Sequence, residues 1–146
     1  MTYVGDVKHS RVFESGRQLL NLLGYKVGVF TDQNLLPDNK NGLEIYESWD
    51  EVFENSNSIE LLRVQKERML DIEKINFDNY IKNYQLTKKI LDKSQKDLIV
   101  LHPMPINIGI EISKEAIEDS KMKYKVQLLH AIPSRVTTFK YVRDEI

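Results

Sequence analysis

Short apolar segments alternate with helix-like segments along the chain, and this alternation constrains the fold more than any other feature. Four apolar segments are predicted to be buried strands, at residues 2–7, 26–31, 59–65 and 97–102. Between the first two, apolar residues recur at helical spacing, and they follow Ser10, a suitable N-cap. Strands that alternate with helices predict an α/β fold: a doubly wound parallel sheet with helices on both faces, Rossmann-like, in a single domain.

Shorter elements are predicted between these strands. Residues 32–43 are polar and rich in turn formers, which indicates a loop. Residues 48–55 and 113–120 each begin with a serine that can cap a short helix. Residues 77–91 have the pattern of one continuous helix. Near the end of the chain, Pro133 is expected to interrupt a helix, because proline has no N–H to donate.

Composition excludes several classes of function. The 146 residues are 41% hydrophobic and 29% charged, which suits one globular domain with a sizeable core. The net charge of −1 gives no sign of nucleic-acid binding, and no apolar run approaches the length of a membrane span. The chain has no cysteine, which excludes disulfides and thiolate metal sites. No histidine has a second histidine or a carboxylate at the spacing typical of metal ligands. We therefore expect a cytoplasmic protein with no metal and no cofactor.

Polar residues stand where the predicted strands end. Asp6, Arg63 and His102 all fall at carboxyl ends of strands, which in a parallel sheet meet at one edge, where ligands bind. Arg63 and Gln65 are two residues apart on one side of an extended segment. The turn that begins at His102 contains two prolines, which leave backbone carbonyls available. Guanidinium, amide and carbonyl groups together suit a small zwitterion with carboxylates and an amine.

Three motifs resemble the amino-acid-binding half of the aspartate carbamoyltransferases. Residues 5–11 read Gly-Asp-Val-Lys-His-Ser-Arg, and residues 63–68 read Arg-Val-Gln-Lys-Glu-Arg. The third motif is His-Pro-Met-Pro at residues 102–105, followed by Asn107, Gly109 and Glu111. Their order and spacing agree with the family from residue 2 to about residue 127, so the resemblance covers most of the chain.

The resemblance implies a binding role for five residues. Arg11 and Arg63 would each bind a carboxylate of aspartate or of a similar dicarboxylic amino acid, a task suited to guanidinium. Gln65 would orient the side-chain end of the substrate or Arg63 itself. The carbonyls of Pro103 and Met104 would accept hydrogen bonds from the attacking amine.

The resemblance also implies supporting residues around that site. Asp6, Lys8 and Glu67 would hold the arginines, which otherwise repel each other. His102 would support the turn that it begins. Its position before a proline at a strand end also allows a role as general base near neutral pH, which is the less favoured interpretation.

Two departures from the family bear on function. The half that binds carbamoyl phosphate, with its Ser-Thr-Arg-Thr and His-Pro-x-Gln segments, is missing from the sequence. Residues 1–146 are therefore expected to form one domain that is inactive alone and that a separate domain or chain could complete. In the second departure, Gln127 and Arg135 keep the family's spacing, but His130 and Ala131 replace Asn-Gly, and the tail is short for a docking helix.

Three functional hypotheses follow from the sequence. The first is an aspartate-binding domain in the context of pyrimidine biosynthesis. The second is a degenerate paralogue that acts as a binding or regulatory module. The third, a flavodoxin-like nucleotide binder, is the weakest, since no glycine-rich phosphate loop follows a strand.

Overall fold

The computed structural model describes residues 1–65 and 75–145, and in that part of the chain parallel strands form one sheet. The strands are β1 (Thr2–Gly5), β2 (Val27–Phe30), β3 (Leu43–Ile45), β4 (Ser58–Leu62) and β5 (Ile99–Leu101). Their order across the sheet is β3-β2-β1-β4-β5, and each neighbouring pair is parallel. The predicted parallel α/β fold is confirmed.

Helices connect the strands. They are α1 (Arg11–Leu22), α2 (Trp49–Asn55), α3 (Phe77–Tyr84), α4 (Lys88–Leu91) and α5 (Tyr124–Glu145), with short 3-10 turns at Gln33–Leu35 and Ala116–Glu118. The side chains of Ser10 and Ser48 cap α1 and α2 as predicted, each accepting a hydrogen bond of 3.2 Å from a backbone N–H. Gly24 follows α1 with a φ of 77°, a conformation that glycine adopts without strain.

Two cores lie on opposite faces of the sheet, because successive strand residues point in opposite directions. On one face the buried cluster against α1 consists of Tyr3, Val7, Phe13, Val27, Val29 and Leu62. On the other face the cluster against α2 and α4 includes Val4, Phe30, Trp49, Val52, Leu61 and Leu91. Helices therefore cover both faces, as the sequence predicted.

Two strand predictions need correction. β4 ends at Leu62, three residues before the predicted end at Gln65, so Arg63 and Gln65 lie just beyond the strand. β3 was not predicted, since its first residue, Leu43, was assigned to the polar loop. It is a three-residue edge strand whose side chains are half-buried or exposed, so its sequence carries little of the apolar signal of a buried strand.

The single helix predicted over residues 77–91 is wrong. The chain is extended at Gln85, and Leu86 pairs with the segment near Ile112, with a bond of 2.9 Å from its N–H to the Glu111 carbonyl. Leu86 is fully buried, so its contribution to the core outweighs the helical pattern. Thr87 then caps α4. The helix predicted at 113–120 is likewise only a 3-10 turn, although the Ser113 hydroxyl accepts a hydrogen bond of 3.2 Å from the N–H of Ala116.

The prediction for the C-terminal region is also wrong. α5 has 22 residues and continues through Pro133, so the helix is not interrupted there. The φ angle of proline is itself helical, and the helix is exposed at Pro133, so water can bond the carbonyl that loses its partner. In the part of the chain that the structure describes, no helix combines the length and the low polarity needed to cross a membrane.

Candidate functional site

The order of the strands creates a natural cleft between β1 and β4. The chain runs from β1 outward to β2 and β3, and then returns to the other side of β1 for β4 and β5. The loops that leave β1 and β4 therefore turn in opposite directions, and their ends face each other, since Gly5 pairs with Leu62. Ligands bind at such a reversal point in open α/β sheets.

A cavity of about 270 Å³ occupies this cleft. It is lined by Ser10, Arg11, Val12, Leu62, Arg63, Gln65, Pro103, Met104 and Pro105. All five residues predicted to bind substrate are among them. The sequence did not single out Val12 or Leu62, which give part of the cleft an apolar wall. Both lie next to a predicted arginine in the sequence, and that adjacency is the signal that could have found them.

Gly5 allows the loops to approach closely. Its φ is 115°, a region that side chains rarely adopt, and a Cβ added there would lie 2.2 Å from the carbonyl oxygen of Leu62. The N–H of Val7 donates back to the Gly5 carbonyl at 2.8 Å, so the chain turns sharply after β1. This turn places the start of α1, with the exposed Arg11 as its first residue, beside the end of β4.

Asp6 ties the two loops together. Its carboxylate is fully buried, and Oδ2 accepts a hydrogen bond of 2.9 Å from the N–H of Gln65. Oδ1 lies 2.8 Å from the Nδ1 of His9 and accepts from the His9 N–H at 3.2 Å. The Nε2 of Gln65 donates to the His9 carbonyl at 3.0 Å. Asp6 therefore acts on Gln65 and the β1–α1 loop, rather than directly on the guanidinium groups as the sequence suggested.

The turn at residues 102–105 forms the third side of the cleft. His102 is fully buried, and its Nδ1 accepts a hydrogen bond of 2.9 Å from the N–H of Met104. Its Nε2 lies 3.4 Å from Oε1 of Glu111, which is also buried. Met104 has a φ of 66° and precedes a cis proline. Both ring nitrogens of His102 thus face groups of the turn and its support, away from the cleft.

Pro103 and Met104 of this turn line the cavity. Neither the Pro103 nor the Met104 carbonyl accepts a hydrogen bond from any residue within 1–65 or 75–145. Arg11 is exposed and Arg63 is half-buried, and both line the same cavity. The cleft therefore combines two cationic forks with two backbone acceptors, an arrangement that can hold carboxylates at one end and an amine at the other.

Gln127 connects this region to α5. Its Oε1 accepts a hydrogen bond of 3.0 Å from the His102 N–H, and its Nε2 donates to Glu60 at 2.9 Å. Glu60 lies in the middle of β4, and burial raises the pKa of its carboxyl above the usual range. The sequence analysis noted Gln127 only for its spacing and missed Glu60. A charged residue inside an apolar strand is the signal that could have indicated it.

Of the two remaining predicted residues, the structure describes Lys8. Lys8 borders a neighbouring polar cavity next to Gln33, Pro37 and Asp38, and its N–H donates to the Leu35 carbonyl at 2.9 Å. Glu67 lies outside the described residues. In the described ranges no group of three or more histidine, aspartate or glutamate side chains is placed to hold a metal ion.

Comparison with known proteins identifies the family. The model of the aspartate/ornithine carbamoyltransferase Asp/Orn-binding domain matches residues 1–141. The chain belongs to this family. It has the character of the Asp/Orn-binding domain, and the resemblance drawn from the three motifs is confirmed.

Curated relatives are about twice as long as this chain. The chain is 32% identical over 142 residues to the aspartate carbamoyltransferase catalytic subunit of Aquifex aeolicus, covering 96% of this chain and 48% of that protein. It is 34% identical over 137 residues to the corresponding subunit of Koribacter versatilis, covering 91% of this chain and 45% of that protein. The chain therefore spans about half the length of the relatives that it matches.

Solved structures share the fold. The catalytic subunit of M. jannaschii aspartate transcarbamoylase superposes with a TM-score of 0.80 at 22% identity, over 99% of this chain and 50% of that one. Aspartate transcarbamoylase from Trypanosoma cruzi, in complex with aspartate and phosphate, gives a TM-score of 0.65 at 21% identity, over 86% and 41%. At these identities the structures show that the architecture is the same.

Proposed function

We propose that this chain is the aspartate-binding half of an aspartate carbamoyltransferase-type transferase in pyrimidine biosynthesis, working in the cytoplasm. Residues 1–146 would act as one domain, and a separate domain or chain would supply the site for carbamoyl phosphate. The observation that carries the proposal is that Arg11, Arg63, Pro103 and Met104 line one cavity at the reversal point of the sheet.

In this proposal the two arginines bind the two carboxylates of aspartate. A guanidinium group presents two parallel N–H donors that match the oxygens of a carboxylate, which a lysine ammonium cannot do. Arg11 follows β1 and Arg63 follows β4, so the two cations approach the ligand from different loops. Gln65, on the same loop as Arg63, orients the arginine or the side-chain end of the substrate.

The carbonyls of Pro103 and Met104 accept hydrogen bonds from the amine of the substrate. The amine attacks the carbonyl carbon of carbamoyl phosphate, a C–N bond forms, the C–O bond to phosphate breaks, and the amine loses a proton. Acceptors that hold the amine fix the direction of its lone pair. Such alignment can lower the activation barrier by about 7–11 kcal/mol. This half of the site therefore supplies orientation and charge complementarity, and no covalent nucleophile is required of it.

Asp6, Lys8, Glu67 and His102 complete the proposed site as supports. The buried Asp6 fixes the N–H of Gln65, and the buried His102 fixes the N–H of Met104. Lys8 and Glu67 keep the supporting role that the family resemblance gives them.

Helix α5 supports the proposed need for a second half. Leu129, Ile132, Val136 and Phe139 are 75%, 69%, 46% and 74% exposed. Their spacing of three, four and three residues places them on one face of the helix, away from the face on which Gln127 bonds to the sheet. An exposed apolar stripe of this kind marks an interaction surface. The missing half is the proposed occupant, because the relatives contain about twice as much chain.

The binding proposal is testable by nuclear magnetic resonance on the 146-residue chain. Titration with L-aspartate and with succinate should shift the amide signals of Arg11, Arg63, Gln65 and Met104. We expect weak binding, with a dissociation constant of about 1 mM or higher, because only part of the site is present. L-ornithine is the matched control ligand, since it replaces the second carboxylate by an amine and should bind more weakly than succinate.

Two results would contradict the proposal. Equal or stronger binding of L-ornithine would mean that the two arginines do not select a dicarboxylate. Shifts confined to the cavity beside Lys8 would place the ligand elsewhere.

A further inference from the structure

His9 stands between the two loops of the cleft without lining the cavity. The cavity is bordered by its neighbours Ser10 and Arg11. The His9 side chain is 13% exposed, and its Nδ1 lies 2.8 Å from the buried carboxylate of Asp6. A histidine placed in this way does not reach a ligand in the cavity, but it can control the residues that do.

We propose that His9 is a positioning residue for the proposed dicarboxylate site: its ring N–H, bonded to Asp6, sets the separation of Arg11 and Arg63. The inference rests on the proposed function of the cleft. It deepens that function by giving a role to a histidine that the sequence placed in the motif at residues 5–11 without a task of its own.

A closed ring of hydrogen bonds carries the inference. Asp6 Oδ1 bonds to the backbone N–H and the ring of His9, and Asp6 Oδ2 accepts from the N–H of Gln65. Gln65 Nε2 then returns to the His9 carbonyl at 3.0 Å. Within this set of hydrogen bonds, His9 lies two residues before Arg11, and Gln65 lies two residues after Arg63. Movement within the ring therefore changes the distance between the two arginines.

The bond from the His9 ring to Asp6 is a side-chain bond, so substitution can remove it. The bond from the His9 N–H and the bond to its carbonyl belong to the backbone, and every variant at this position keeps them. Since a carboxylate only accepts hydrogen bonds, Nδ1 is the donor to Asp6. Bonds to charged groups are stronger than neutral ones, so the loss of this bond should loosen the β1–α1 loop.

The chemistry of the ring suggests a discriminating set of variants. In asparagine, Nδ2 occupies about the position of the histidine Nδ1 and can donate to Asp6. In glutamine the amide lies one bond further out, and in alanine no donor remains. His9→Asn should therefore preserve the function of the residue, whereas His9→Ala and His9→Gln should not. His130→Ala, on the exposed part of α5, is the matched control for the loss of a histidine.

The first readout is succinate binding, measured by nuclear magnetic resonance. We expect the dissociation constant to rise about tenfold in His9→Ala and His9→Gln, since one charge-assisted bond is lost. His9→Asn and His130→Ala should match the unsubstituted chain. Unchanged binding in His9→Ala would overturn the inference, and so would equal rescue by glutamine and asparagine.

The second readout needs no ligand and separates this inference from the proposed function. In the free chain, the nitrogen chemical shifts of His9 should identify Nδ1 as the protonated nitrogen. The Gln65 amide should exchange with solvent faster in His9→Ala than in His9→Asn. If succinate does not bind at all, the proposed function fails while the exchange result still decides the role of His9. Identical Gln65 exchange in all variants would overturn that role.

Discussion

The cleft between β1 and β4 differs from helix α5 in which groups are buried. The cleft buries hydrogen-bonded polar side chains, whereas α5 exposes large apolar ones. In the cleft, Asp6 and His102 are fully buried, and their hydrogen bonds go to the loops that carry the candidate binding groups. On α5, four large apolar side chains at regular spacing are about half exposed or more. The cleft is held by contacts within the chain, whereas the outer face of α5 has none of comparable extent among the described residues.

This difference bears on the proposal that the chain supplies one part of a site and that a second domain or chain supplies the other. Groups buried with their partners keep their geometry in the isolated chain, because breaking such contacts is costly. An exposed apolar stripe gains stability only when another surface covers it. The loops of the cleft should therefore keep their geometry in the isolated chain, whereas the apolar face of α5 should gain stability only when a second surface covers it.

The largest effect concerns catalysis. The isolated chain should show no carbamoyltransferase activity, because in the proposed function a separate domain or chain supplies the site for carbamoyl phosphate and with it the alignment of the reactants. The measurement is formation of carbamoyl aspartate from aspartate and carbamoyl phosphate, with heat-treated protein as the control. Turnover above that control would mean that the cleft and α5 already form a complete site.

The next effect concerns the stability of the cleft. His102→Ala should lower the free energy of unfolding by about 3 kcal/mol, because it removes a buried side chain and leaves the N–H of Met104 without its acceptor. Urea denaturation measures the change, and His130→Ala on the exposed part of α5 is the matched control. A loss below about 1 kcal/mol, the size of an ordinary substitution, would show that the turn does not depend on His102.

A smaller effect concerns Glu60, which links the sheet to the first turn of α5. Burial raises the pKa of Glu60, so its contribution to stability is present at low pH and is lost as the pH rises through the folded-state pKa. Glu60→Gln should therefore be more stable than the unsubstituted chain at neutral pH, and this advantage should disappear below the ordinary pKa of glutamate. The glutamine keeps an oxygen for the Gln127 amide. Thermal melts across pH measure it, and lower stability of the variant at neutral pH would contradict it.

The smallest effect concerns the apolar stripe of α5. Ile132→Ser and Phe139→Ser should each change the free energy of unfolding of the isolated chain by no more than about 0.5 kcal/mol, since both side chains are exposed. Val52→Ser, at a fully buried position, is the positive control and should be strongly destabilising. Large losses from the stripe variants would mean that α5 packs within the chain.

The sequence predicted the parts of the molecule whose signals are local. Helix starts at Ser10 and Ser48 were predicted because an N-cap uses only neighbouring backbone groups. The meeting of Arg11, Arg63 and Met104 in one cleft was predicted because parallel strands bring their carboxyl ends to one edge. The chemical roles of these residues remain predictions.

Errors arose where distant contacts override a local pattern. Leu86 divides the predicted helix at 77–91 because its burial against the segment near Ile112 is a contact 26 residues away in the chain. The links from Asp6 to Gln65 and from Gln127 to Glu60 also join distant residues, 59 and 67 positions apart. Pro133 shows the opposite error, since a local breaker was given too much weight in an exposed helix that tolerates it.

The most direct test of the proposed dicarboxylate site is Arg63→Ala, followed by succinate titration and thermal unfolding of the same protein. If Arg63 binds a carboxylate of the ligand, succinate binding should weaken about tenfold or more, because a charge-assisted contact is lost. The free energy of unfolding should change by less than about 0.5 kcal/mol, as expected for a side chain outside the core. Arg143→Ala, on the exposed end of α5, should change neither quantity. A large loss of stability with unchanged succinate binding would show that Arg63 is a structural residue and would contradict the account.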